Sequence, residues 1–122
     1  MNILIIEDQL SIQADLQYLL EPYGTVALSA SGQAGIDACL DAQATGSPYD
    51  LVLLNIMLPD MDGYTVCTRL KADPRTADIP IIFVTGKTDL LDEQKGFECG
   101  AVDYITKPIH PPLVVARVKT HL

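Results

Sequence analysis

Glu7, Asp8, Asn55, Thr85 and Lys107 each stand at the end of a short apolar run. Glu7-Asp8 follow Asn2–Ile6, Asn55 follows Asp50–Leu54, Thr85-Gly86 follow Pro80–Val84, and Thr106-Lys107-Pro108 follow Val102–Ile105. Brought together, they supply two carboxylates, an amide, a hydroxyl and an ammonium. Adjacent carboxylates attract a hard divalent cation, and Mg²⁺ takes oxygen ligands in octahedral geometry while keeping several waters. A hydroxyl and an ammonium beside it could hold the oxygens of a phosphoryl group whose charge the metal neutralises. Such a set lacks only a nucleophile. An aspartate at 55 could attack phosphorus and become an aspartyl phosphate. The carboxamide of Asn55 cannot, because its oxygen is uncharged and its nitrogen lone pair is delocalised.

Each residue alone has a plainer reading. Glu7 and Asp8 could place negative charge at the start of a helix, Asn55 and Thr85 could merely end strands, and Lys107 before Pro108 could be a solvated turn. Their common position after the apolar runs is what favours one shared site.

The elements that must position them follow from periodicity. A short apolar run, a turn and an amphipathic stretch recur five times, the remaining run being Thr25–Ala30. Three runs are nearly continuous Ile, Leu, Val or Phe, as expected of parallel strands covered on both faces. The intervening stretches carry apolar residues three and four apart, such as Leu10, Ala14, Leu16 and Leu20, then Ile36, Cys39 and Leu40. Further helices are expected over Gly63–Ala72, Asp89–Cys99 and Pro111–Leu122. Ser31 can cap the second helix, Thr88 or Asp89 the fourth, and Gly100 can end it. Pro111-Pro112 suit the first turn of the last. The alternation predicts an α/β doubly wound (βα)5 sheet of five parallel strands, flavodoxin-like, in a single domain over 1–122. In such sheets ligands bind beyond the carboxyl ends of the strands, where strand order reverses.

Composition narrows the function. The 122 residues are 48% hydrophobic, and 8 Lys+Arg against 16 Asp+Glu leave a formal charge of −8. Disorder is excluded as the main state. Nucleic acid and anionic membranes are poor partners for this chain, since phosphate contacts need clustered Lys and Arg. No apolar run approaches the roughly 18 residues that span a bilayer, and no secretory signal is visible, so a cytoplasmic location is expected. Cys39, Cys67 and Cys99 show no metal-ligating spacing and read as reduced packing residues. A flavin carrier of the same fold would hold phosphate on amides after the first strand, where Glu7-Asp8-Gln9 would repel it. His110 and His121 read as a helix-start and a surface residue. Leu113–Leu122 keeps a helical pattern without a stop signal, which suggests the N-terminal part of a longer protein or a helix running into a linker.

With these residues in view, the sequence resembles a response-regulator receiver domain of bacterial two-component signalling, CheY-like, over essentially its whole length. Glu7-Asp8 match the acidic pair, the stretch from Asp50 to Gly63 with its Met61-Asp62-Gly63 end matches the phosphoacceptor loop, and Thr85 and Lys107-Pro108 match the Ser/Thr and Lys-Pro of the family pattern. The resemblance implies strand order 2-1-3-4-5, a switch made by Thr85 and Tyr104, and Mg²⁺ held by Glu7, Asp8, the residue at 55 and the Met57 backbone carbonyl. It implies phosphoryl transfer from a sensor histidine kinase or phosphotransfer protein, an output domain in the same chain, and a possible homodimer through the fourth helix, fifth strand and fifth helix. Output domains that make or break cyclic dinucleotides, or kinases, fit the helical tail better than DNA-binding ones. The departure is Asn55, where the family has aspartate. Self-phosphorylation and dephosphorylation need that aspartate, so no enzymatic activity is expected and Mg²⁺ binding should be weakened. Two readings stay open: an ordinary receiver whose phosphoacceptor has been replaced, or a naturally degenerate receiver that works by protein contacts.

Overall fold

A computed structural model describes residues 1–86 and 97–122. Five parallel strands form one sheet in the order β2-β1-β3-β4-β5. They are β1 (Asn2–Ile6), β2 (Thr25–Ser29), β3 (Leu51–Asn55), β4 (Ile81–Thr85) and β5 (Asp103–Thr106). Helices α1 (Leu10–Leu20), α2 (Gly32–Ala44), α3 (Gly63–Ala72) and a C-terminal helix (Pro111–His121) flank it. The doubly wound architecture and its strand order are as the sequence predicts. Most of the expected helix over Asp89–Cys99, with its caps Thr88 or Asp89, lies outside the described residues.

The continuous apolar runs have a direct cause. Successive side chains of a strand point to opposite faces, and here both faces are covered. Leu4, Ile6, Val52, Leu54, Ile81 and Phe83 pack under α2 and α3, against residues such as Cys39, Val66 and Leu70. Ile3, Ile5, Leu51, Leu53, Ile82 and Val84 pack under α1 and the C-terminal helix, against Leu16, Leu20, Val114 and Val118. No position within β3 is therefore open to a polar side chain until its last residue, Asn55.

Several boundaries differ from the apolar pattern by one residue. β3, β4 and β5 run to Asn55, Thr85 and Thr106, beyond the Leu54, Val84 and Ile105 that the pattern gives. Ladder pairing continues past the last apolar side chain, with Asn55 opposite Val84 and Thr85 opposite Thr106. At the other end of β3, Asp50 is drawn off the ladder: its N–H donates to the Asn2 carbonyl at 2.7 Å and its carboxylate accepts from the Asn2 N–H. β2 stops at Ser29 rather than Ala30.

The inward face of α1 also differs. Gln13, Leu16 and Leu20 are buried, whereas Leu10 is 78% exposed and Ala14 faces solvent. Gln13 takes the inner place because its side-chain amide donates to the Glu7 carbonyl. Ser31 caps α2 by accepting from the Ala34 N–H at 3.2 Å, Gly100 adopts a φ of 103°, and prolines occupy the first turn of the C-terminal helix. No helix among the described residues is long and apolar enough to cross a membrane.

Leu53 is fully buried at the centre of the sheet. Leu53→Ala should cost about 2–5 kcal/mol of unfolding free energy, measured by urea denaturation; a loss below about 1 kcal/mol would contradict the two-sided packing.

Candidate functional site

Three strand ends bring the predicted residues to one place. Glu7 follows β1, held by its N–H donating to the Ser29 carbonyl at 2.9 Å and by Gln13 on its own carbonyl. Asn55 ends β3. Lys107 follows β5, its N–H donating to the Thr85 carbonyl at 2.6 Å, and its peptide bond to Pro108 is cis. Glu7 is 1% exposed and Asn55 5%, while Asp8 beside them reaches solvent.

The Asn55 carboxamide is the hub. Its Nδ2 donates to Glu7 Oε2 at 2.9 Å, to Asp8 Oδ1 at 3.1 Å and to the Met57 carbonyl at 2.8 Å. Its Oδ1 accepts from Lys107 Nζ at 3.2 Å. Two N–H hydrogens serve three acceptors, so one is shared. The opposite amide orientation would set Oδ1 against three oxygen acceptors and the NH2 group against an ammonium, and electrostatics disfavours it on both sides. Lys107 Nζ also lies 2.9 Å from Glu7 Oε1, a charge contact without the direction of a good hydrogen bond, and only 19% of the lysine side chain is exposed. Glu7 Oε2 accepts in addition from the Gln9 N–H at 3.2 Å. Glu7 is thus committed to the site rather than to capping: Gln9 is the N-cap residue of α1 and makes no side-chain cap bond.

The loop after β3 is fixed at both ends. Gly63 N–H donates to the Ile56 carbonyl at 2.6 Å, and Met57 bridges Asp62 in antiparallel fashion. A Cβ on Gly63 would lie 2.5 Å from the Asn55 carbonyl oxygen, so α3 can start this close to the site only from a glycine. Asp62 caps α3 through the Thr65 N–H at 2.8 Å. Asp60 reaches across to α2 and accepts from the Gly32 and Gln33 N–H groups at 2.8 and 2.9 Å. Those backbone hydrogen bonds, Gln33 foremost, hold its carboxyl below the usual aspartate range. The loop therefore aims the Met57 carbonyl inward while the Met57 side chain stays 69% exposed.

Thr85 and Tyr104 are placed differently. Thr85 is buried, but its single hydroxyl hydrogen goes to the Gly86 carbonyl at 3.2 Å, so it donates nothing to Asn55. Tyr104 is half-buried, with the Phe97 ring edge-on at 6.1 Å and the Arg117 guanidinium over its face at 5.6 Å. Asp103, next to it, joins β5 to the C-terminal helix: it accepts from the Tyr104 N–H at 2.9 Å, Arg117 Nη1 at 2.8 Å and His121 Nε2 at 3.1 Å. Burial pushes the Asp103 carboxyl up, but these three partners outweigh it and the net shift is downward. His121, read from the sequence as a surface residue, is half-buried and paired with Asp103, and His110 is the N-cap residue of the last helix, at its start as expected.

Chemically, three oxygens from Glu7, Asp8 and Met57 converge on one point, the donor set of a hard cation, and the Asn55 amide nitrogen now stands among them. Among the described residues no three His, Cys, Asp or Glu side chains cluster as metal ligands. Gln13, Asp60, Arg117 and His121 were not legible as parts of this framework, because each joins it through a contact that exists only in the folded chain.

Comparison with known proteins agrees with this geometry. A family model described as the response regulator receiver domain matches residues 3–119. Over 121 residues the chain is 42% identical to a Vibrio cholerae protein named "Probable cyclic di-GMP phosphodiesterase", covering 99% of this chain and 26% of that protein. It is 40% identical over 122 residues to the DNA-binding dual master transcriptional regulator RpaA of Synechocystis sp., covering 99% and 48%. The signal receiver domain of a signal transduction histidine kinase from Syntrophus aciditrophicus superposes with a TM-score of 0.84 at 32% identity, covering 99% of this chain and 89% of that one. The chain spans about a quarter to a half of these curated relatives' lengths.

Lys107→Met should leave Glu7 buried and uncompensated, costing about 3 kcal/mol in urea unfolding with a chelator present; a loss under about 1 kcal/mol would show that the pair is not what balances Glu7. Folding favours the charged form of Asp103, so its contribution is present above the ordinary aspartate pKa near 4 and lost as pH falls through the depressed value. Asp103→Asn should flatten the acid side of the stability curve; an unchanged curve between about pH 2 and 5 would contradict this.

Proposed function

The chain belongs to the response regulator receiver family, and we propose that it is a two-component receiver whose phosphoacceptor place is closed to chemistry by Asn55. The observation that carries this is the amide itself, engaged by Glu7, Asp8, Met57 and Lys107 at once. With aspartate at 55, a carboxylate oxygen would attack the phosphorus of a phosphohistidine on a sensor kinase or phosphotransfer protein, and the histidine nitrogen would leave. Lys107 would sit on the arriving oxygens, and Thr85 would turn its hydroxyl from Gly86 toward them. Asn55 has no charged oxygen for that attack.

Glu7, Asp8, the Met57 carbonyl and the Asn55 side-chain oxygen would hold Mg²⁺, which when bound neutralises phosphoryl charge. Asn55 could offer that oxygen only by turning its amide. The turn breaks two N–H bonds to carboxylates, each contributing about 1.5–3 kcal/mol, and sets NH2 against the Lys107 ammonium. Mg²⁺ binding is therefore weak. An aspartate at 55 would add a third carboxylate to the hollow, and two like charges about 4 Å apart repel by roughly 4 kcal/mol at an effective dielectric of 20. Asn55 thus stabilises the metal-free fold.

With no phosphoryl group to prefer one conformation, the population stays in the unphosphorylated state. The chain then acts through what it contacts: an output domain in the same polypeptide, or a second copy through the face that the family resemblance assigns to the fourth helix, fifth strand and fifth helix. A cytoplasmic setting and protein partners fit the charge of −8.

Acetyl phosphate with Mg²⁺ should label Asn55→Asp and not the unaltered chain. Asn55→Asp should melt lower without metal, by about 3–5 °C per kcal/mol lost, and gain more from Mg²⁺. Labelling of neither form would favour the degenerate interaction module, and unchanged melting with and without Mg²⁺ would refute the electrostatic account.

A further inference from the structure

Away from the acidic hollow, two thiols meet where α3 faces the chain entering β5. Cys67 is buried in α3, and its Sγ donates to the Cys99 carbonyl at 3.3 Å. The two side chains also contact each other: the Cys67 thiol is pushed up to about 12 by burial first, then by the charge and hydrogen bond of the Cys99 thiol. Cys99 is only half-buried and lines a surface hollow with Tyr64, Thr68, Lys71, Ala72 and Glu98. Cys39, buried in α2, belongs to the apolar cluster.

We propose that Cys67 and Cys99 are a modification site, forming a reversible intramolecular disulfide when a hydroperoxide reaches Cys99. The Cys99 thiolate attacks one peroxide oxygen, the O–O bond breaks, and the departing alkoxide or hydroxide takes up a proton, leaving Cys99 as a sulfenic acid. Cys67 Sγ then attacks the Cys99 sulfur. The S–O bond breaks, and the leaving hydroxide accepts the Cys67 proton to become water. Two thiols have then given two electrons to the peroxide. Burial shields Cys67 from direct oxidation by the peroxide, while the partial exposure of Cys99 suits it to the first step. Disulfides in reducing compartments are mostly transient and redox-sensing. This one would tie α3 to the segment whose Phe97 ring packs on Tyr104.

The test treats the whole chain with equimolar hydrogen peroxide, alkylates the remaining thiols, and maps peptides without reductant. Expected are a peptide joining Cys67 to Cys99, an alkylated Cys39, full reversal by dithiothreitol, and slower amide exchange across residues 97–106 in the oxidised form. Cys99→Ser, which leaves the buried Cys67 in place, should abolish the cross-link. Over-oxidised Cys99 with Cys67 still alkylatable, a disulfide between two copies, or a pairing with Cys39 would overturn the site. Unchanged exchange across 97–106 would overturn the tether.

Discussion

One carboxamide holds the ends of the sheet together. Asn55 offers hydrogens to three oxygens on one side and an oxygen to an ammonium on the other, and this polarity is what the surrounding charges require. Glu7, almost without solvent, would be a costly buried anion if Lys107 and the Asn55 N–H groups did not face it. Lys107, in turn, donates to Asn55 and lies against the charge of Glu7. Removing the amide's hydrogens, as an aspartate would, sets oxygen against oxygen at three contacts and leaves a cation as the natural remedy.

The fold makes this meeting obligatory. Because both faces of the sheet are covered, β1, β3 and β4 must be apolar throughout, and polar groups can enter only where the strands stop. Those stops lie along one edge, at the point where the chain order in the sheet reverses between β1 and β3. Gly63 lets α3 begin against the backbone of Asn55, and Asp60 pins the same loop to α2. The site is thus supported by main-chain hydrogen bonds on every side, while Tyr104, Phe97 and Arg117 form a separate aromatic and cationic cluster near the last helix.

Much of this was legible in the residues. The apolar runs located every strand to within a residue, because two-sided burial leaves a nearly uninterrupted signal; those of β3, β4 and β5 ended one residue early because backbone pairing does not depend on side-chain type. Glu7, Asp8, Asn55 and Lys107 could be placed together for the same reason. Of the apolar positions of α1, Leu16 and Leu20 face inward and Leu10 and Ala14 do not, while Gln13 is buried by a hydrogen bond that periodicity does not register. The links from Asp103 to Arg117 and His121, and from Cys67 to Cys99, join residues 14, 18 and 32 positions apart, and such contacts become visible only once the chain is folded. The direction of the Asn55 amide was likewise invisible, for it depends on where four partners lie in space.

The side-chain amide of Asn55 can be observed directly by ¹H–¹⁵N nuclear magnetic resonance. The account predicts two well-separated amide protons shifted by carboxylate acceptors, exchanging with water far more slowly than those of free asparagine, and little altered when Mg²⁺ is added. Degenerate, fast-exchanging protons, or a large Mg²⁺-induced shift at low metal concentration, would contradict it.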